Sequence, residues 1–596
     1  MSKFSLEIYY DGKCPLCSRY VQYINFSNSH GPPKLIDLRT NVEARNTFIE
    51  KGYDPDEGMI LKIGQQIYHG KFAVQKMAML STGSTLFNKL NAFFLSSHFM
   101  ASLLYPLMVF GRNLVLEFLG IRNIKSENAR TLDSSFDFFK VFAFIYGLYC
   151  FFHFAYLVFY ADTVGPGLVP ISWLVIVLSA FIIWRPWVTH IFSVLIVTRL
   201  VEMWMQMPTI SNHSIIDFFL LVIMISAGAW SLIRHYDWKK FQQLFVSGGR
   251  WLLIIMYVFG IFHKINSDFL NTDVSCAVSL WQQYPFPSYF LNASWIQYST
   301  IYGTFIIEGI IMLGLVFKRT RYLAVVAGIS FHLFLGLSLN AYYPAFSMLS
   351  IMLHSLFLPE TFLHKYSEGR IYQVYRDNTK LIKSYLIGLL SIMLFVAYVR
   401  SLVLLAVIFG IIAFPILMLV VKYAKDSESH ESAKACLKTH PLVLVFVIMF
   451  FLNNAAPYYG LKTQQSLNMF SNLHVEESVT NHLLIKQPFN IFPFSEGSVR
   501  LRGVYLAENM GDNLYQDNNL NFVYHDFLAL IQQNHQKFPD ENILYSFELN
   551  EEFIENVDYN YFAEDIDALL LPAAIRKIVH FEGVDRRNPK PCSSIK

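Results

Sequence analysis

The sequence predicts three parts: a small α/β domain over residues 1–121, a polytopic α-helical membrane domain over 135–452, and a small soluble tail over 453–596. Three observations predict this. Residues 4–85 alternate short apolar strands with helical stretches. From residue 138 long apolar runs take over, in a chain that is 54% hydrophobic and 15% charged, against about 25% charged in soluble domains. After residue 452 the composition turns polar again. The net charge of +3 says little about partners, and no Gly-rich phosphate loop or sustained basic patch points to nucleic acid, so no nucleic-acid partner is expected.

The first domain opens on its most informative residues. Leu6 to Tyr10 is an apolar, aromatic run that predicts a buried strand. Asp11-Gly12 predicts a turn, and Cys14-Pro15-Leu16-Cys17 opens a helix. The partial positive charge of a helix N-terminus favours thiolate over thiol. Lys13 adds a full charge beside Cys14, and Pro15 suits the first helical turn. The expectation is a redox dithiol, with Cys14 the exposed nucleophile and Cys17 the resolving thiol. The rival reading, half of a zinc site, needs a second ligand pair. The next cysteine is Cys150, and His30 and His69 are isolated, so no metal site is assigned. Strands are expected at Lys34–Leu38 and Met59–Ile63, with turns at Asp54–Gly58 and Gly64–Gln66. Residues 86–121, broken by His98, Pro106 and Arg112, are expected to be helices lying on this domain or on the membrane surface.

Tyr10-Asp11-Gly12-Lys13-Cys14-Pro15-Leu16-Cys17 resembles the signature of the DCC family of thiol-disulfide oxidoreductases. The resemblance covers roughly residues 4–120, including Lys34–Leu38, Met59–Ile63 and Tyr68–Ala73. It implies a thioredoxin-like fold and a thiol protein as partner. Thioredoxins place a cis-proline directly before a strand facing the dithiol; here the nearest proline, Pro55, lies four residues before Met59.

Apolar runs at 138–161, 168–184, 188–206, 215–233, 251–263, 301–317, 322–339, 346–358, 382–399, 402–421 and 441–452 predict about eleven membrane helices. The 382–421 stretch reads as a hairpin turning near Arg400. One set of loops carries twenty basic residues, from Arg122, Lys125 and Arg130 through Arg234 to Lys425, Lys434 and Lys438, and the opposite set carries one, Arg400. This asymmetry predicts a cytoplasmic N-terminus, and the odd helix count then puts the tail outside the cytoplasm; the membrane is expected to be a bacterial inner membrane. In the tail, Ser498–Tyr505 reads as a strand and Asn513–Gln536 mixes acids, amides and aromatics.

Ionisable residues inside a membrane are costly and mark function or pairing. Arg199 and Glu202 are three apart on one helix and read as a structural ion pair. Glu308 and His332 sit inside apolar runs, and Lys264 follows His263 at the end of another. The plain readings are a hydrogen-bonded helix contact, a packing histidine and a snorkelling lysine. The functional reading is one apolar cavity, walled by Phe259, Phe262, Phe305 and Phe331, that brings Lys264 together with Glu308 and His332, the latter two binding substrate.

Phe259-Gly-Ile-Phe-His-Lys-Ile-Asn-Ser-Asp-Phe269, then Glu308, then Phe331-His332-Leu-Phe, resembles the HTTM domain, the membrane domain shared with vitamin K-dependent gamma-carboxylase. It covers about residues 135–460, and Asn468–Leu473 resembles a segment following that domain in bacterial members. The resemblance implies for Lys264 the role of the carboxylase lysine that deprotonates vitamin K hydroquinone. His263 stands where the carboxylase has another lysine, and gamma-glutamyl carboxylation is not implied.

The leading expectation is a membrane thiol-disulfide oxidoreductase in which Cys14 and Cys17, with Lys13 beside them, handle thiols, and the membrane domain holds a quinone or lipid. A second is a carboxylase-like membrane enzyme with Lys264 as base. A third is a transporter or scaffold with a redox-sensing domain. Cys276 and Cys592, both on the expected outer side, are candidates for a disulfide.

Overall fold

The apolar run Leu6–Tyr10, with Leu6, Ile8 and Tyr9 buried, makes an inner strand of the first sheet. The structure, a computed structural model, describes residues 6–24, 26, 33–82, 85–119, 121, 124, 134–159, 168–208, 210–233, 238–359, 361–424, 437–476, 480–507, 521–550, 552–582, 589–590 and 592. His30 and the loop residues Arg122, Lys125, Arg130, Arg234, Lys425 and Lys434 lie outside them. The chain divides into two compact units, residues 1–133 with 185–193, and residues 134–184 with 194–596.

In the first unit, β1 (Leu6–Tyr10), α1 (Pro15–Tyr23) and β2 (Lys34–Asp37) form a parallel βαβ unit. After α2 (Val42–Glu50) come β3 (Ile60–Ile63) and β4 (Gln66–His69), an antiparallel hairpin. Its loop is Gly64-Gln65, and Gly64 has φ +58°, as a turn with glycine first requires. The sheet order is β2-β1-β3-β4, with β3 antiparallel to β1. Helices α3 (Lys71–Leu80), α4 (Leu86–Leu95) and α5 (His98–Leu119) follow. Leu95 and Leu116 join Ile8, Met59, Val74 and Met77 in one hydrophobic core, so the 86–121 stretch packs on its own sheet domain.

Each of the eleven apolar runs carries a helix: 134–157, 169–184, 189–206, 212–233, 238–262, 294–316, 321–336, 343–355, 379–398, 402–424 and 441–455. Seven of them, among the described residues, are long and apolar enough to cross a membrane. The other four differ from the expectation of about eleven spans for physical reasons. Val169–Trp184 and Arg321–Gly336 have 16 residues each and Tyr343–Ser355 has 13, short of the ~20 a bilayer requires. Thr189–Gln206 has 18 residues, but His190, Arg199 and Glu202 dilute its apolar character. The turn after Tyr398 is made by Arg400, at φ +57°.

Past residue 455 the chain first runs back along the helix ends. His263 is fully buried, with Nδ1 2.7 Å from the Tyr458 hydroxyl and Nε2 3.0 Å from the Ser466 carbonyl. A four-stranded antiparallel sheet follows, β5 (Ser498–Leu506), β6 (Asn521–Val523), β7 (Ile543–Leu549) and β8 (Glu552–Val557), in the order β6-β5-β7-β8. Helices Tyr524–Lys537 and Tyr559–Leu569 cover its buried face through Phe527, Ile531, Phe562 and Ile566. Of the expected polar stretch 513–536, residues 513–520 lie outside the described residues.

Candidate functional site

The dithiol sits where β1 runs into α1. Cys14 is the N-cap, and the Cys17 amide donates to its Sγ at 3.2 Å. The turn before it is held by carboxylates: the Gly12 amide donates to Asp37 Oδ1 at 2.9 Å and the Lys13 amide to Asp11 Oδ1 at 3.1 Å. Gly12 is required by close approach, because a Cβ there would lie 2.1 Å from Asp37 Oδ2. Asp11 is buried between two guanidinium groups. Arg39 donates to both its oxygens at 2.7 and 2.9 Å, and Arg112, from α5, donates to Oδ2 at 3.1 Å. Arg112 also donates to the Asp56 carbonyl at 2.5 Å.

This geometry splits the two thiols. The hydrogen bond from Cys17 lowers the Cys14 thiol to about 7, against the upward push of burial, with help from the Cys17 amide and the charge of Arg112. The same hydrogen bond, together with burial, raises the Cys17 thiol. Burial pulls the Asp11 carboxyl up, but the hydrogen bonds and charges of Arg39 and Arg112 hold it below the usual value.

Two expectations are corrected here. Cys14 is not exposed: the residue is 0% exposed and Cys17 is 9% exposed. An N-cap side chain turns back over the first helical turn, and here that places the sulfur in the core. The cation that bears on Cys14 is Arg112, whereas the Lys13 side chain is exposed. Arg112 lies 95 residues beyond Cys17 in sequence; an arginine interrupting an apolar helix was the available signal, and its partner was not readable.

The second unit brings Lys264, Glu308 and His332 to one cavity of about 440 Å³. Lys264 Nζ donates to both Glu308 oxygens, at 2.7 and 2.9 Å, with the two side chains 12% and 10% exposed. Met256, Gly260 and Lys264 line the cavity at helical spacing. Of the expected aromatic wall, Phe331 lines the cavity. Phe259 instead packs on Phe451, Phe262 on Tyr458 and Phe305 on Phe269. Phe259 and Phe262 lie off the 256–260–264 face, so the helix turns them away. Trp281, Tyr284, Phe334, Phe346 and Phe470 supply the wall.

Further buried polar groups lie at the cavity and elsewhere in this unit. Tyr257, a lining residue, places its hydroxyl 3.1 Å from the Nε2 atoms of both His332 and His354. Arg199 pairs with Glu202 at 2.5 Å, as its spacing suggested, and also with Asp217 at 2.9 Å, which in turn accepts from the Tyr146 hydroxyl at 3.0 Å. Cys276 and Cys592 form a disulfide beside Phe269 and Phe470 of the cavity wall. Sequence reasoning missed Tyr257, His354 and Asp217; each is one polar residue in an apolar run, with partners 18 to 97 positions away.

No curated protein and no solved structure matches the chain. Residues 8–117 match the model of the DCC1-like family, described as DCC1-like thiol-disulfide oxidoreductase, and this stretch holds the dithiol together with the Asp11–Arg39–Arg112 cluster.

Proposed function

We propose that the chain is a membrane-bound thiol-disulfide oxidoreductase whose redox pair is Cys14 and Cys17. The observation that carries this reading is the asymmetric hydrogen-bonded pair at the start of α1, with one thiol lowered to about 7 and the other raised. The sheet order β2-β1-β3-β4 supports a thioredoxin-like fold, and the 8–117 match supports the chemistry. Cys14 attacks a partner disulfide as thiolate, giving a mixed disulfide; Cys17 then displaces the partner thiol and leaves the intramolecular disulfide. Because both sulfurs are buried, the partner reaches Cys14 when the first turn of α1 opens locally. The test is alkylation of the full chain as a function of pH, read at Cys14 by mass spectrometry. A midpoint near 7 is expected, and a midpoint at or above the ordinary thiol value of about 8.5 would overturn it. Cys17→Ser should accumulate mixed disulfides and Cys14→Ser should not.

A second reading concerns the membrane part and rests on the Lys264–Glu308 pair in its aromatic cavity. There we propose binding of an apolar quinone or lipid, with Lys264 as base after passing its proton to Glu308, in the manner of an HTTM or carboxylase-like enzyme. Organic extraction of purified protein should release such a ligand, and Lys264→Met should abolish its turnover while leaving Cys14 alkylation unchanged.

A further inference from the structure

Helix α4 is built inside out. Asn88 and Asn91 are buried, 0% and 6% exposed, whereas Phe87, Leu90, Phe93 and Phe94 face outward, Phe93 at 75% exposed. Positions 88, 91 and 95 share one face of a helix, and 87, 90 and 94 share another. The inward amides are hydrogen-bonded: Asn91 Oδ1 accepts from the Tyr20 hydroxyl at 3.0 Å, and Asn88 Nδ2 donates to Thr82 Oγ1 at 3.2 Å. The outward face continues on neighbouring helices. Phe87 packs on Tyr20 and Tyr23 of α1, at ring distances of 5.9 and 6.0 Å. Phe72 of α3 is exposed and stacks on His98 at the start of α5, and Phe99 is 74% exposed. Gln75 Nε2 donates to the Ser96 carbonyl at 3.1 Å, which joins α3 to the corner between α4 and α5. An outward cluster this aromatic marks a surface that meets an apolar partner.

The charge around this face has one sign. From Gly58 to Leu116 the chain has no Asp or Glu and carries Lys62, Lys71, Lys76, Lys89 and Arg112; Glu117 follows at the end of α5. Lys62 pairs with Glu7 and Arg112 with Asp11, so the cations counted for this face are Lys71 and Lys76 on α3 and Lys89 on α4. We propose that α3, α4 and the start of α5 dock the first unit on an anionic lipid bilayer, with the outward phenylalanines among the upper acyl carbons and the three lysines at the headgroup phosphates. Apolar burial and attraction to anionic lipid add for a helix lying in the interface, and a lysine stem covers apolar surface while its ammonium reaches the phosphates. The bilayer is at hand: residues 120–133 alone join α5 to the helix 134–157, which holds one of the seven stretches long and apolar enough to cross a membrane. Because Phe87 packs on α1, docking holds the dithiol helix at the membrane surface, where its thiol partner is met. The inference needs no particular chemistry at Cys14 or at Lys264.

The test is photocrosslinking of the full chain reconstituted into vesicles, with p-benzoylphenylalanine in place of Phe93, Phe99 or Asn46, the last an exposed residue of α2. The vesicles are phosphatidylcholine with an equal part of phosphatidylglycerol, or phosphatidylcholine alone. In the anionic vesicles lipid adducts, read by mass spectrometry, should form at 93 and 99 at least about fivefold more than at 46. The yields at 93 and 99 should fall severalfold in phosphatidylcholine alone. Lys76→Glu combined with Lys89→Glu should lower the yield at 93 similarly in anionic vesicles, with the first unit shown intact by limited proteolysis; where that double variant fails to fold, the comparison of vesicles decides alone. A yield at 93 no higher than at 46, equal in the two kinds of vesicle, or unmoved by the two glutamates overturns the inference. Capture of polypeptide in place of lipid, from a second copy or from elsewhere in the chain, also overturns it and makes the face a protein interface.

Discussion

The dithiol corner and the Lys264 cavity both take charge out of water, and they balance it differently. At the dithiol, buried Asp11 sits between two guanidiniums, and at Cys14 the pull of Arg112 outweighs the push of Asp11. In the cavity one lysine faces one glutamate through two short hydrogen bonds, so the charges cancel. An excess of cation stabilises a thiolate, the species the dithiol reaction needs. A cancelled pair leaves a neutral, aromatic space, which suits an uncharged ligand. The Arg199 cluster is a third arrangement, one guanidinium between two carboxylates, with side chains that are 0% and 1% exposed and no place in the cavity lining. It reads as a tie between the helices 189–206 and 212–233.

The contrast is broken most severely by removing the anion at the dithiol. Asp11→Leu leaves Arg39 and Arg112 buried against each other and should cost about 3–5 kcal/mol, read as loss of the folded first unit by limited proteolysis. The pH dependence has a definite sign. The Asp11 carboxyl is lower in the folded than in the unfolded chain. Its contribution is therefore complete above the unfolded value of about 3.9 and is lost as pH falls through the folded one. Proteolytic protection of the unaltered first unit should therefore fall as the pH drops below about 4.

The cavity pair should respond less. Lys264→Met leaves Glu308 without its cation and should cost ~2–3 kcal/mol, toward or below the lower end for buried pairs because both side chains keep some solvent contact. Lys264→Met with Glu308→Gln should recover most of that loss in thermal unfolding. A double variant as unstable as the single one would mean that the pair is held for packing and not for charge.

How far the sequence carried can be judged from the same residues. The strand, turn and helix from Leu6 to Cys17 were legible because every determinant is local: an apolar, aromatic run, Asp11-Gly12, Pro15 at a helix start. The eleven apolar runs were legible as helices from length and composition, and their crossing of a bilayer less so, because polar residues and short lengths decide that individually. Lys264, Glu308 and His332 were placed together from the cost of burying each in an apolar run, although they lie far apart in sequence, Lys264 in the turn after helix 238–262 and the others on two further helices. What sequence could not give was orientation. Phe259 and Phe262 look equivalent to Phe331 in composition, but the helix turns them to another face. The exposed-nucleophile expectation failed similarly, since the cap conformation and not the residue order decides which sulfur faces inward.

Arg112→Met sharpens the comparison at the thiol itself. It removes the cation that acts on Cys14 while Arg39 still neutralises Asp11. The alkylation midpoint should rise from about 7 toward the ordinary thiol value, and at pH 7 the rate should fall severalfold.

Lys13→Ala should produce the smallest effect, and its size tells which cation matters. Lys13 is adjacent to Cys14 in sequence, yet its side chain is exposed and the sulfur is buried. Water and salt screen an exposed ammonium, with a Debye length of about 8 Å at physiological ionic strength. Arg112 acts from within the protein, 7% exposed at its side chain, where screening is weak. The alkylation rate at pH 7 should therefore change by less than about twofold in Lys13→Ala. Any residual change should shrink further as salt is raised, and the Arg112→Met effect should persist. If Lys13→Ala instead slows alkylation as much as Arg112→Met does, the thiolate is stabilised from the surface and the buried cluster serves the fold alone.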